Sequence, residues 1–167
     1  MSPMLEWVQL VDDRNRPCGS ATRAFVRRLR LWHRATYVFV TDGEGRICVQ
    51  RRTLTKDIFP GAFDLAAGGV VEAGEAMHVG AGRELAEELG ITGVKLRHCF
   101  DFRYIDQRLK AFGGVFLVEY RGPMVLQESE VAAVEWMTPK DALALTPVTP
   151  DSRVALERLI GEGWLAA

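Results

Sequence analysis

The chain has 167 residues, with 21 Lys and Arg set against 22 Asp and Glu for a formal net charge of −1, a length that fits one domain with its own core. So even a balance provides no general positive field for nucleic acid or an anionic membrane, and selectivity for a charged ligand must be local.

Glu6 to Val11 reads as a short strand closed by the polar turn Asp12 to Pro17, and a second strand leads into the basic segment Arg23 to Arg34. Ala35 to Thr41 is rich in β-branched and aromatic residues, Asp42-Gly43-Glu44-Gly45 is a turn, and Arg46 to Arg52 alternates as a partner strand. That pattern predicts a hairpin. Phe59-Pro60-Gly61 interrupts the chain before Phe63 to Val71, an apolar strand that feeds a helix over residues 76–89, with Gly90 as its stop. Arg97 to Tyr104 and Ala111 to Tyr120 read as strands joined by a charged turn, and Val131 to Trp136 as one more, with Trp136 expected in the core. Thr138-Pro139 caps a short helix, and Asp151 begins a final one whose apolar positions are Val154, Leu156, Leu159 and Ile160. Strands and helices without regular alternation indicate an α+β layered domain spanning the whole chain. Cys18, Cys48 and Cys99 lie far apart with no CxxC pair, as expected of reduced packing residues rather than a disulfide framework or zinc site. The opening MSPMLEWVQLVDD has no basic start followed by an apolar core, and no run approaches the ~18 apolar residues of a membrane span. A cytoplasmic protein is expected.

On the predicted helix, positions 84, 87 and 88 stand at i, i+3 and i+4, so Glu84, Glu87 and Glu88 project from one face. Their mutual repulsion costs a few tenths of a kcal/mol per pair, and Gly80 and Gly82 each cost about 1 kcal/mol of helix propensity. Leu85 and Leu89 anchor a different face, while a hard divalent cation turns the acidic stripe into a ligand set. The alternative is a solvated acidic face. The upstream spacing argues against it: Gly69, Glu75 and Arg83 complete a constellation carried by one loop and one helix. Residues 69–91, GVVEAGEAMHVGAGRELAEELGI, resemble at every defined position the Nudix box, G-x5-E-x7-R-E-U-x-E-E-x-G-U with U aliphatic.

The resemblance implies a Nudix α/β/α sandwich with mixed β-sheets, and a hydrolase that cleaves a diphosphate linkage in a nucleoside diphosphate-linked or nucleoside triphosphate substrate. It further implies that Glu84, Glu87 and Glu88, with the carbonyl of Gly68, bind Mg²⁺, for which Mn²⁺ is a substitute, and that Arg83 and Glu75 form an internal ion pair bracing the loop. Gly69 and Gly90 are then structural. The implied partner is a small-molecule nucleotide or other diphosphate rather than nucleic acid or a membrane, and a homodimer is one assembly the sequence allows.

Outside the box, Leu31-Trp32-His33-Arg34-Ala35, Val49-Gln50-Arg51-Arg52, Phe59-Pro60-Gly61 and Asp101-Phe102-Arg103-Tyr104 resemble the branch that includes isopentenyl-diphosphate isomerase. An isomerase is therefore the competing chemistry, but Ala66-Ala67-Gly68-Gly69 and Leu109-Lys110-Ala111 lack the cysteine, histidine and acids that branch uses for proton transfer. His33 alone remains and reads as a structural residue. A non-catalytic nucleotide-sensing module is the third reading; the intact glutamates of the box speak against it. Arg51 and Arg52 end a strand facing the box and point to opposite sides, so one of them is expected to bind substrate phosphate, with Lys56 a weaker candidate. The general base is expected on the acidic loop Gln127-Glu128-Ser129-Glu130, at Glu130 in preference to Glu128.

Overall fold

A computed structural model describes residues 6–167; the first five residues, on which the reading of the amino terminus partly rests, lie outside the described residues. β1 (Trp7–Val11) and β2 (Pro17–Thr22) pair antiparallel. The turn between them is fixed by Asp12, whose carboxylate accepts the backbone N–H groups of Arg14 and Arg16, each at 2.9 Å. The basic segment that follows is not uniform. Its first part forms α1 (Arg23–Leu29), capped where Thr22 Oγ1 accepts from Phe25 N–H at 3.4 Å and closed by Arg30 in the left-handed region, φ 54°. Its end already belongs to β3 (Trp32–Thr41).

The expected hairpin is corrected by the pairing. β3 and β4 (Ile47–Arg52) are joined by the Asp42 turn but pair only at Thr41 and Ile47. β3 instead runs parallel to β7 (Lys110–Glu119) along its full length, and β4 pairs antiparallel with β8 (Val131–Met137). The reason lies in β3 itself: Ala35 to Val40 are all buried, so both faces need cover and the strand sits centrally.

The gap that opens between β3 and β4 receives the segment expected as one strand over residues 63–71. Only β5 (Phe63–Asp64) pairs with β4, placing Gln50 opposite Asp64 and Arg51 opposite Phe63. Beyond it the chain crosses to β3, where Val38 N–H donates to the Ala67 carbonyl at 2.6 Å, Thr36 N–H to Gly69 at 2.8 Å, and Val71 N–H to Arg34 at 2.9 Å. One extended segment thus changes partner midway and bridges the two strands. β6 (Arg97–Ile105) completes the sheet beside β7.

Alternation along β3 divides the core in two. Ala35, Tyr37 and Phe39 face α4 (Pro150–Gly161), with its Ala155, Leu156 and Leu159, and the short α3 (Pro139–Leu143). Val38 and Val40 face α2 (Met77–Leu89), through Ala81, Leu85 and Leu89, with Trp136 packed partly buried at the edge. The result is the α+β sandwich that the resemblance implies. Two details differ from expectation. Of the three free cysteines only Cys48 is buried, Cys18 being exposed and Cys99 half-buried. On α4, Val154 is exposed and Ser152 is buried, because the face turned toward the sheet carries Ser152, Ala155, Leu156 and Leu159. Among the described residues no helix is long and apolar enough to cross a membrane.

Candidate active site

Where β3 and β4 part, a cleft of about 1360 Å³ opens, larger than the roughly 300–1,000 Å³ of ordinary small-molecule sites. α2 forms one wall, α1 and the loop after β4 form another, and the start of α4 lies at the floor.

The first wall carries the box. Its loop is stitched to β1 by Ala73 N–H on the Trp7 carbonyl and Gly74 N–H on Gln9 Oε1, so it enters α2 in a fixed direction. Arg83 then binds back across the loop, its Nε donating to Glu75 Oε2 at 2.8 Å and Nη2 to Glu75 Oε1 at 3.0 Å and, more weakly, to the Val70 carbonyl at 3.3 Å. Burial pushes the Glu75 carboxyl up, but the Arg83 bonds outweigh it and hold the group below its ordinary value; Arg83 is raised in turn, chiefly by the Glu75 bonds. Gly69 leaves room for Glu84, since a Cβ there would stand 2.6 Å from its Oε1. Gly90 ends α2 in the left-handed region, φ 67°, donating to the Ala86 carbonyl at 3.0 Å.

Glu84, Glu87 and Glu88 all border the cleft but are not equivalent. Glu88 accepts from Gly68 N–H at 3.0 Å, and enclosure by protein, then Glu84, then Asp64 push its carboxyl well above the ordinary range. Glu84 is also raised, by burial first and by Glu87, against the opposing charge of Arg83. Glu87 is the exposed member, 3.5 Å from Arg83 Nη1, the nitrogen that also meets Glu84 at 3.0 Å. Among the described residues no three acidic, histidine or cysteine side chains already form a cation cage, because Arg83 draws Glu84 and Glu87 to itself.

The second wall is cationic. Arg52 lies in the cleft, bonded to the Ile58 carbonyl at 2.9 Å and to Asp64 at 3.3 Å, whereas Arg51 points away and lies over the Phe63 ring, 4.8 Å from its centroid. Lys56 faces the cleft in an ion pair with Glu130; burial, then Arg52, Arg23 and Arg27, push its amine down to about 8. Glu130 therefore borders the cleft, and Glu128 is exposed and does not. From α1, Arg23 and Arg27 add two charges. Burial lowers Arg27 to about 10, and Arg23 Nε is buried without a hydrogen-bond partner among the described residues.

The floor holds residues to which the sequence alone assigned no role in the site. Asp151 accepts from the Tyr37 hydroxyl at 2.7 Å, Asp64 accepts from Thr149 Oγ1 at 3.2 Å, and Gln50 stands between the strands beside Asp64. Each arrives from a different stretch of chain, so spacing carries no signal for them. His33 is buried, its Nδ1 2.9 Å from the Leu31 carbonyl, and burial lowers its pKa, as fits a structural residue. Ala67 and Ala111 are buried and bring no ionisable group to the site.

The NUDIX domain family matches residues 31–159 of this chain. A Nudix hydrolase of Salmonella typhi, YfcD, is 46% identical over 152 residues, which cover 90% of this chain and 83% of that protein. The crystal structure of DR0079 from Deinococcus radiodurans aligns at a TM-score of 0.82 with 26% identity, over 92% of this chain and 98% of that one. The NUDIX domain of Shewanella oneidensis NrtR, solved with ADP ribose, shares the fold alone, with a TM-score of 0.64 and 15% identity over 77% of this chain and 86% of that one. The box occupies the junction between the bridging segment and α2, and the family match spans most of the residues that build the cleft, so this chain belongs to the Nudix hydrolases.

Proposed function

We propose that the protein is a Mg²⁺-dependent pyrophosphohydrolase that cleaves the phosphoanhydride bond of a nucleoside diphosphate-linked or nucleoside triphosphate substrate. The observation that carries this reading is the opposition, across one cleft, of the buried carboxyls Glu84 and Glu88 and the cations Arg52 and Lys56. Burial and neighbouring carboxylates raise both groups, Glu87 acting on Glu84 and Glu84 on Glu88, and Arg83 offsets only part of this charge. The cluster therefore gains from a cation, and an all-oxygen donor set of Glu84, Glu87, Glu88 and the Gly68 carbonyl suits a hard one. When bound, such an ion neutralises diphosphate oxygens and makes a nucleophile of water near neutral pH.

The chain's own residues supply the rest. Arg52, held by Asp64 and the Ile58 carbonyl, is oriented to take a phosphate oxygen with little loss of side-chain freedom. Lys56 neutralises a second oxygen, and Glu130, released from Lys56 by that exchange, accepts the proton of the attacking water. Arg83 and Glu75 keep loop and helix in register. The cations gather inside the cleft rather than in a surface stripe, which favours a small-molecule substrate over nucleic acid. The ADP ribose bound by the NrtR domain belongs to the same chemical class.

The test is hydrolysis of a panel of nucleoside triphosphates and diphosphate-linked nucleotides with Mg²⁺ and with excess EDTA. Phosphate-containing products formed only with the metal are expected. Their absence across the panel refutes the hydrolase reading, and equal rates in EDTA refute the metal requirement.

A further inference from the structure

The floor of the cleft holds polar groups outside the box, of which only Asp64 has a partner in the phosphate-binding wall, Arg52 at 3.3 Å. Gln50 and Asp64 are cross-strand partners of β4 and β5, so their side chains stand on the same face. Gln50 is 3% exposed, and its Nε2 has no hydrogen-bond partner among the described residues, although it lines the cleft. A buried amide is ordinarily satisfied, and one left open beside a cavity marks a place where a ligand completes the bonding. Asp151 reaches the same cleft from the first turn of α4, fixed by the buried Tyr37 hydroxyl at 2.7 Å. Burial, then the neighbouring Asp64, push Asp151 up to about 6, so at neutral pH it remains mainly a carboxylate. A carboxylate has about four lone-pair sites, and Tyr37 is the side chain that fills one.

The chemistry of this cluster selects its ligand. Carboxylates repel phosphate and gain nothing from an apolar tail. Carboxylate acceptors beside an amide donor match a group that both donates and accepts, which is a hydroxyl. We propose that Asp151, Gln50 and Asp64 form a subsite for the hydroxyls of the sugar attached to the diphosphate, setting the cleft's preference for hydroxylated over deoxygenated or hydrocarbon substrates. This rests on the hydrolase reading above, because the diphosphate must lie between Arg52 and the box for its attached group to reach the floor.

The experiment is calorimetric titration with ADP, GDP, CDP and UDP, each beside its 2′,3′-dideoxy counterpart, with Ca²⁺ replacing Mg²⁺ to suppress turnover. The wild-type protein is expected to bind at least one ribonucleotide about tenfold or more tightly than its dideoxy form, since a site built to bond hydroxyls discriminates strongly against their loss. Asp151→Asn, which keeps an acceptor for Tyr37, and Gln50→Leu, which keeps the bulk, should each bring the pair within about threefold. If Asp151→Asn fails to fold, Gln50→Leu alone decides. Equal affinity of wild type for both forms, a preference unchanged in the variants, or no binding of any ribonucleotide overturns the subsite. Selective binding without hydrolysis of the panel overturns the enzymatic reading while leaving the subsite intact.

Discussion

Arg83 and Glu75 face each other in a two-pronged ion pair, Nε to Oε2 at 2.8 Å and Nη2 to Oε1 at 3.0 Å, that ties α2 to the loop leading into it. The same guanidinium meets Glu84 and Glu87, so one positive charge is shared among several carboxylates and most of the negative charge on the helix stays uncompensated. Arg83→Ala leaves the Glu75 carboxylate without its counter-charge, with only the Glu72 N–H still donating to it, and should lower stability by about 2–4 kcal/mol, with a melting temperature lower by on the order of 10 °C. Arg83→Lys keeps the charge but not the fork and should recover only part. Thermal melts decide: a full melting temperature in the alanine variant, with only substrate binding lost, is incompatible with a bracing role.

Glu88 leads to a pH dependence of stability. Its folded-state pKa lies well above the ordinary 4.5 through burial and Glu84, so between those values the folded protein holds more protons than the unfolded chain. Stability therefore falls as pH rises through that window. In EDTA the melting temperature should decline as pH rises above the ordinary carboxyl value, and Mg²⁺ should raise it most at the alkaline end, because the metal binds deprotonated carboxyls. Glu88→Gln should flatten the decline and lower turnover by orders of magnitude. A metal-free melting temperature that rises with pH, or full activity of Glu88→Gln, contradicts the assignment.

The box was legible because its chemistry lies within 23 consecutive residues, where spacing alone fixes which side chains share a face. The strands were legible singly, but their partners were not. A short turn between two alternating runs predicts a hairpin, whereas burial of β3 on both faces placed β7 beside it and left β4 to β8. That long-range choice creates the cleft. The floor residues Gln50, Asp64 and Asp151 converge from β4, β5 and α4, and single polar residues so far apart carry no periodic signal. The same applies to Arg23 and Arg27, visible in the sequence only as part of a basic segment.

Arg52 and Arg51 separate a role in the cleft from mere proximity in sequence. Arg52 enters the cleft while Arg51 lies over Phe63 on the other side of the strand. Arg52→Ala should raise KM and lower kcat/KM by roughly 10²-fold, as loss of a charge-assisted phosphate contact does. Arg51→Ala should stay within about threefold of wild type, since an exposed stacked arginine contributes little. Steady-state kinetics on the best panel substrate reads both, and the reverse ranking would place the phosphate elsewhere.

Glu130 and Glu128 sit two residues apart on one loop, yet only Glu130 borders the cleft, in an ion pair with Lys56. Thr53 steadies this part of the loop through its hydroxyl on the Ser129 carbonyl at 3.1 Å and its N–H on the Glu130 carbonyl at 3.3 Å. A general base must reach the attacking water, and Lys56 occupies the Glu130 carboxylate until a substrate phosphate competes for the amine. Glu130→Gln should therefore depress kcat by ~10²-fold or more with a smaller change in KM, and remove the acidic limb of the pH profile. Glu128→Gln should leave kcat within about threefold, because its carboxylate faces solvent. Lys56→Ala supplies the complementary measurement: it frees Glu130 but removes a phosphate contact, so KM should rise while the acidic limb persists. If neither glutamine variant moves kcat by more than about threefold, the base is not on this loop, and the enclosed carboxyl of Glu84 becomes the group to substitute next.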